Sequence, residues 1–502
     1  MNNQISTPYP KSDRWSLLWL VLGCVLMVFL AGNWPLSLAG WLAPVFLIRF
    51  MRSQRKLWGY LLMAVGLSIA CSIAYMGGAG PGAIPPLIFG VILGLSYALI
   101  YLIDRILVGR LPQHGLAGFS TTLVFPLLMT GYEFLLLNKF PFGSSGSAAY
   151  SQSGNIILMQ MISMTGLWGL TFLTTWFAST VNWAWERKFD WPVIRNGTII
   201  YTAFLLVILL FGTIRTRFFE PQVGTVRIHA LSAGAETAEN ALETLPELYK
   251  SDLATFRKRT TDSYAPNLTA INHEAQAGAQ IVVLPETAFV GIKEDLDPLI
   301  AQIKQIARTE SIYIAFGKIL MDTDRAGIYM IIVGPSGEIV LDHYKYAYNL
   351  GVDLSQVELQ AVDTPYGRLS GVLCGDLDNP GIIKQAGRKG VDIMLVPAAD
   401  GPENSFWHFR LAAFRAVENG FSLVRSAMEG VSLATDPYGR TLASLDYYNT
   451  NDRVMVAQVP IHHIQTLFGS LGDWFGWLMV IGFIGMAGWA IFRTIKYRKP
   501  RA

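Results

Sequence analysis

The sequence is short of charge and of cysteine. Lys, Arg, Asp and Glu make up 15% of its 502 residues against 52% apolar residues, a balance that excludes an ordinary soluble chain and points to a membrane protein. A net charge of +3 is too small to draw the chain to nucleic acid, and no nucleic-acid partner is expected. Three cysteines, Cys24, Cys71 and Cys374, cannot supply a disulfide framework. The sequence has no internal repeat, no low-complexity tract and no nucleotide-binding glycine loop. It also has no spaced His/Cys/Asp cluster, so neither a cofactor nor a metal is expected. His343 and His408 therefore read as satisfied or solvated histidines, and Trp407, with the aromatics near helix ends, as an interfacial belt.

What the chain does have is long apolar runs. Stretches near 15–31, 35–50, 57–76, 84–103, 116–137, 157–180, 195–214 and 472–492 match the ~20 residues a helix needs to cross a hydrocarbon core of roughly 30 Å. The second is short and interrupted by proline. A cleavable leader ending at Cys24 is the alternative for the first, but its apolar run continues to Leu30 as a spanning helix does. With Lys11 and Arg14 inside, eight crossings also put Arg49, Arg52, Arg55, Lys56, Arg105, Arg110, Arg187, Lys188, Arg195 and Arg493–Arg501 inside. The expected division is a seven-helix transmembrane domain over 1–214, an extracytoplasmic domain over 215–471, and a last helix with a basic cytoplasmic tail over 472–502. Glu133, toward the outer end of the fifth helix, is either functional or a solvated interface residue.

The segment 215–471 reads as one α/β domain. Apolar, β-branched runs recur at 226–231, 280–284, 312–316, 328–333, 369–373, 392–396, 422–426 and 454–459. Helix-period stretches lie at 238–277, 295–309, 378–389 and 405–419.

Three places end a strand-like run with a reactive side chain: Leu284-Pro285-Glu286, His343-Tyr344-Lys345 and Leu373-Cys374-Gly375-Asp376. Taken singly, each is ordinary: a capping glutamate, a surface lysine, a small buried cysteine. Together they cover acyl transfer, which needs a base for the thiol, a cation or amide donors for the developing oxyanion, and a nucleophile. Glu286 is expected as general base, Lys345 as electrostatic stabiliser and Cys374 as nucleophile, with the Gly375 N–H as an oxyanion donor. A lone cysteine in a domain facing an oxidising compartment also calls for a chemical use.

The order Leu-Pro-Glu, then lysine, then a strand ending in cysteine resembles the nitrilase superfamily, or carbon-nitrogen hydrolases. Val396-Pro397-Ala398-Ala399-Asp400-Gly401, Arg415-Ala416-Val417-Glu418-Asn419-Gly420 and Asp436-Pro437-Tyr438-Gly439-Arg440 extend the likeness through the segment. Placed between the seventh and eighth apolar helices, and with Tyr150-Ser151-Gln152 and Gly166-Leu167-Trp168-Gly169-Leu170-Thr171-Phe172-Leu173 upstream, the domain is similar to the bacterial apolipoprotein N-acyltransferases.

The resemblance implies a multi-pass α-helical membrane domain plus an α/β nitrilase-like αββα sandwich. It implies a phospholipid acyl donor, a thioester on Cys374, and a diacylated apolipoprotein acceptor at the inner-membrane bilayer. Both substrates are anchored in lipid, so a soluble site would expose acyl chains at roughly 0.8 kcal/mol per methylene. The chain departs from the family at Asp353, where glutamate is usual, at Gly375, where an aromatic usually precedes the acidic residue that is Asp376 here, and in the lysine loop Tyr346-Ala347-Tyr348-Asn349, which lacks the usual His and Pro. Asp353, Gly375 and Asp376 are supporting site residues in this reading. The departures alter pocket walls, leaving open an amidase or acyltransferase with another acceptor, or an inactive lipid-binding homologue. A transporter is disfavoured by the few charges within the helices.

Overall fold

A computed structural model describes residues 13–30, 35–76, 86–138, 143–144, 146–218, 223–232, 240–322, 326–347, 356–401 and 405–496. The chain divides into two compact units: a helical unit of 1–139, 146–218 and 473–502, and an α/β unit of 140–145 and 219–472. The short segment 140–145, a connection between apolar runs in the sequence, belongs to the α/β unit.

A helix forms at each of the eight apolar stretches, but not all have the same character. Lys56–Ala74, Leu87–Val108, Gly115–Leu137, Trp191–Phe218 and Trp474–Lys496 are long and apolar enough to cross a membrane. Ile156–Thr165 and Trp168–Glu186 form a pair bent by 115° at Gly166 and Leu167, where Gly166 has φ +65°. Ser16–Val28 has only 13 residues and Ser37–Ser53 has 17, with Pro44 inside. Lys56–Ala74 and Pro86–Val108 pack backbone to backbone. A Cβ on Gly94 or Gly90 would lie 2.3 and 2.5 Å from the amide nitrogens of Ser68 and Ser72, so the helices meet through small residues four apart.

Charges inside this unit are paired. Arg52 donates to Asp104 (2.8 Å) and Glu186 (3.0 Å), all three nearly inaccessible. Glu133 is buried rather than solvated, and accepts from Ser147 Oγ (3.0 Å), Thr171 Oγ1 (2.9 Å) and the Ala148 N–H (3.3 Å).

Among the described residues of the α/β unit, thirteen strands run β1 Thr225–Leu231, β2 Ile281–Val283, β3 Phe289–Gly291, β4 Tyr313–Leu320, β5 Gly327–Val333, β6 Ile339–Tyr344, β7 Ala361–Thr364, β8 Gly367–Gly371, β9 Ile393–Ala399, β10 Ser422–Met428, β11 Val431–Thr435, β12 Thr441–Asp446 and β13 Val454–Pro460. One sheet has the order β13-β1-β2-β4-β5-β6, with β3 paired to β4; the other has the order β12-β11-β10-β9-β8-β7. Strand alternation sorts the side chains. Ile228, Ile281, Val283, Ala315 and Ile332 meet Leu369, Ile393, Leu395 and Val424 in the core between the sheets. Val282, Ile314, Phe316 and Ile331 point the other way, onto Ile271, Leu296, Leu299 and Ile303 of helices Tyr264–Gln276 and Lys293–Glu310. Helix Ser405–Asn419 packs on β10 and β11. The result is the expected αββα sandwich.

The helix-period stretch 238–277 is in fact broken. Asp252, with φ −148°, caps a new helix at Leu253 by accepting from the Thr255 N–H.

Candidate active site

The site lies where the C-terminal ends of β2, β4, β8 and β9 approach one another. After β2, Pro285 and Glu286 lie against β4 so closely that only glycine fits at 317: a Cβ there would be 2.0 Å from the Glu286 carbonyl oxygen. The Gly317 N–H donates to the Pro285 carbonyl (3.1 Å) and the Glu286 N–H to the Ala398 carbonyl at the end of β9 (3.3 Å). These bonds fix the Glu286 backbone across both sheets.

The Glu286 carboxylate, 2% exposed, accepts from Lys345 Nζ at 2.5 Å, a charge-assisted bond shielded from water. Lys345 follows β6, and its own N–H continues the ladder to the Ile328 carbonyl.

Cys374 follows β8 at a sharp turn. Its φ of +29° is a conformation that side chains other than glycine rarely adopt, and the chain enters a 3-10 turn over Cys374–Asp378. The buried sulfur lies 3.7 Å from the Ala399 carbonyl oxygen. Glu286 and Cys374 therefore meet adjacent peptide groups, those of Ala398 and Ala399. The carboxylate and the ammonium expected from sequence are thus in direct contact, and the Glu286 N–H and the Cys374 sulfur touch neighbouring peptide groups of β9.

Asp376 links the lysine to the nucleophile turn. Fully buried, it accepts from the N–H groups of Tyr346 (3.0 Å) and Ala347 (2.6 Å) through one oxygen, and from His343 Nε2 (2.8 Å) through the other. His343 is thus a satisfied histidine, as read from sequence. Gly375 is buried in the same turn. Asp353 lies outside the described residues, and nothing is described of the Trp407 side chain.

A second set of charges around the sulfur escaped the sequence reading. His408 Nδ1 is 4.0 Å from Cys374 Sγ and 2.9 Å from Asp400 Oδ1, and its Nε2 is 3.4 Å from Asp378 Oδ2. Arg425 Nη2 donates to the same Asp400 oxygen at 2.5 Å. Burial opposes the charge on His408, but Asp378, the Cys374 sulfur and Asp400 outweigh it and hold the imidazole protonated well above its ordinary range. Asp400 is likewise penalised by burial, yet Arg425 and His408 keep it below the usual carboxylate range. One signal was available in the sequence: Arg425 sits in the middle of an apolar strand, where an arginine needs a buried partner.

Ligand atoms of Cys374, Asp400 and His408 lie within 4.8 Å of one another, a spacing that could hold a metal. The Asp400 oxygen, however, already accepts from Arg425 and His408, and this cationic surround does not suit a bound metal.

Residues 231–467 match the carbon-nitrogen hydrolase family. An apolipoprotein N-acyltransferase of Geobacter metallireducens is 22% identical over 98% of this chain and 96% of its own length. Another, from Haemophilus ducreyi, is 22% identical over 96% of this chain and 98% of its own. The chain is thus similar to carbon-nitrogen hydrolases over its α/β unit and to apolipoprotein N-acyltransferases over nearly its whole length. A deaminated glutathione amidase of Yersinia enterocolitica is 26% identical but covers only 35% of this chain and 73% of its own. Among solved structures, a mutant amidase of Nesterenkonia AN1 from the nitrilase superfamily matches 48% of this chain and 93% of its own, at 19% identity and a TM-score of 0.38. The carbon-nitrogen hydrolase domain thus accounts for the α/β unit, and the N-acyltransferase relatives for nearly the whole chain.

Proposed function

We propose that this membrane enzyme moves an acyl chain from a phospholipid to the N-terminal amine of a diacylglyceryl-cysteine apolipoprotein through a thioester on Cys374. What supports this reading is a buried Glu286–Lys345 pair whose glutamate N–H is held by Ala398, beside a cysteine at positive φ whose sulfur lies 3.7 Å from the Ala399 carbonyl. Near-complete coverage by N-acyltransferases, apolar helices included, favours this acceptor over a soluble amide.

Glu286 takes the thiol proton, the sulfur attacks the ester carbonyl, and Lys345 with the Gly375 N–H stabilises the oxyanion. The lysophospholipid leaves with the proton that Glu286 returns. The lipoprotein amine then attacks the thioester, giving its proton to Glu286 and expelling Cys374. Burial of Glu286 and Cys374 limits the water that would otherwise hydrolyse the intermediate. The positive-inside pattern supports placing 215–471, with Asp353 as a further wall of the pocket, on the extracytoplasmic face of the inner membrane.

Incubation with phospholipid carrying a labelled acyl chain should leave a hydroxylamine-labile label on the protein and none on Cys374→Ala. A diacylated lipopeptide should then take that label onto its amine. Release only to water, or transfer only to another amine, would reject the acceptor while leaving the thioester chemistry in place. Absence of label on the wild-type protein would reject the enzyme reading. Orientation is tested separately: a membrane-impermeant probe should reach residues of 215–471 from the outside.

A further inference from the structure

His408 lies outside the Glu-Lys-Cys set, yet its Nδ1 is 4.0 Å from the sulfur, as near as the Asp400 Oδ1 that it pairs with, and it is the cation of that pair. Both ring nitrogens face carboxylates, Nδ1 toward Asp400 and Nε2 toward Asp378, and only the doubly protonated imidazolium can donate to both. Neither carboxylate is free to swing away. Asp400 is held by Arg425, which also donates to the Val431 carbonyl (3.0 Å). The Asp378 backbone is clamped by the segment 143–144. The Ser144 N–H (2.9 Å) and Oγ (3.0 Å) both donate to the Asp378 carbonyl, and Arg415 Nη2 donates to Ser144 Oγ (3.2 Å). Gly143, with φ +59°, passes so close that a Cβ there would be 2.1 Å from the same carbonyl oxygen. The protein thus builds a rigid frame around one imidazole, whose Nδ1, shared with Asp400, lies 4.0 Å from the Cys374 sulfur.

We propose that His408 is a fourth catalytic residue, a fixed cation that faces the Cys374 sulfur whenever the sulfur carries negative charge. Negative sulfur arises twice. Before acylation, Glu286 holds the thiol proton while the S–C bond forms and the ester C–O bond breaks, and the proton leaves with the alcohol. In deacylation, the amine nitrogen bonds to the acyl carbon and the C–S bond breaks. Its electron pair stays on sulfur, and the proton of the new ammonium passes to Glu286. His408 gives up no proton in either half; it supplies charge, and Glu286 supplies the transfer. The inherited pH behaviour follows from the groups around the ring, namely Asp378, Asp400, Cys374 and, through Asp400, Arg425. Support for a charged ring comes from both ring nitrogens facing carboxylates, with burial at this position outweighed by Asp378, the Cys374 sulfur and Asp400 together.

This inference rests on Cys374 being the nucleophile but not on the identity of donor or acceptor, so the test uses no lipid. Iodoacetamide forms an S–C bond and releases iodide only from the thiolate, and its rate against pH reports the charge on sulfur. The full chain in detergent micelles is used, with Cys374→Ala to subtract alkylation of Cys24 and Cys71. For His408→Gln we expect alkylation of Cys374 slowed about ten-fold near neutral pH, with the rate profile displaced about one unit upward. Asp378→Asn, which keeps the ring but removes one partner of its charge, should move the profile the same way by less. A His408→Gln profile that superposes on the wild type, in a protein with the wild-type melting temperature, overturns the proposal. If His408→Gln does not fold, an unchanged profile in Asp378→Asn overturns it instead. Failure of wild-type Cys374 to react above the Cys374→Ala background would strike the nucleophile assignment itself, an outcome distinct from the other two.

Discussion

Gly317→Ala makes a demanding test of how the base is positioned, because it adds one methyl group to a residue that does no chemistry. The added Cβ would lie 2.0 Å from the Glu286 carbonyl oxygen, 2.3 Å from its Cα and 2.4 Å from its carbonyl carbon. These are backbone atoms, with no flexible side chain to give way. Ordinary contact is about 3.5 Å, so the Pro285–Glu286 segment must retreat by more than ~1 Å. That retreat stretches the Gly317-to-Pro285 and Glu286-to-Ala398 bonds and draws the carboxylate away from Lys345 and Cys374. Overpacking of this kind costs about 1–3 kcal/mol of stability, whereas a ~1 Å displacement of a catalytic group costs on the order of 100-fold in rate. Single-turnover acylation by labelled phospholipid should therefore fall about 100-fold, while the melting temperature drops only modestly. A wild-type acylation rate in a folded Gly317→Ala protein would refute the claim that this approach sets the position of Glu286.

Other expectations follow from the same contacts. Asp376→Ala frees the Tyr346 and Ala347 N–H groups and His343, so Lys345 loses its anchor and acylation should slow about 100-fold; an unchanged rate would deny Asp376 a positioning role. Glu133→Leu strands two hydroxyls and an N–H in the helical unit and should cost about 1–3 kcal/mol in thermal unfolding, whereas Glu133→Gln, which keeps an acceptor, should cost less. A variant with normal stability but no activity would make Glu133 functional instead. The raised His408 and lowered Asp400 set opposite edges to stability of the α/β unit. The His408 contribution is complete below pH ~6.5 and lost as pH rises through the raised value. The Asp400 contribution is present above pH ~3.8 and lost as pH falls through the lowered one. Melting temperature against pH should show a plateau between these edges, and in Asp378→Asn the alkaline decline should begin at lower pH.

The residues most legible in the sequence were those buried on both faces. The runs at 226–231, 280–284, 312–316, 392–396 and 422–426 became strands β1, β2, β4, β9 and β10, because a strand covered by helices on one side and a second sheet on the other reads as a continuous apolar run. Strands β7 and β12 were not expected, and β6 showed only as a strand-like run ending before Lys345. They are half exposed at sheet edges, as in Ile339–Tyr344 and Ala361–Thr364, and carry too few apolar residues to announce themselves. Strands β3 and β11 are short, and follow tight turns. Glu286, Lys345 and Cys374 could be picked out because each ends a recognisable strand and their chemistry is complementary. His408 could not, since its meaning depends on Asp378, Asp400 and Arg425 arriving from three other elements. Spacing along the chain says nothing about that meeting. The helical stretches were found by length and apolarity, but the 115° bend between Thr165 and Trp168 depends on packing that hydropathy does not encode.

The chemistry assigned to the site also bears on whether the chain works as an enzyme or only as a lipid-binding shell. The elements that carry the site bring four carboxylates, Glu286, Asp376, Asp378 and Asp400, against the cations Lys345, His408 and Arg425. Moving the thiol proton to Glu286 shifts negative charge to sulfur without changing the net charge of the site, so a dry site can hold a thiolate with no ion drawn from water. A shell that merely bound lipid would gain nothing from this, since replacing a buried ion pair by apolar residues is often neutral or stabilising by about 1–4 kcal/mol. Holding a cysteine at positive φ costs about 1–3 kcal/mol more. The double variant Glu286→Leu/Lys345→Met should therefore form no thioester yet unfold at or above the wild-type temperature. Removing Glu286 alone, which leaves the Lys345 ammonium buried beside an apolar side chain, should be clearly less stable than the pair. If instead the double variant is the less stable of the two, the pair is structural glue, and its place beside Cys374 loses its value as evidence for catalysis.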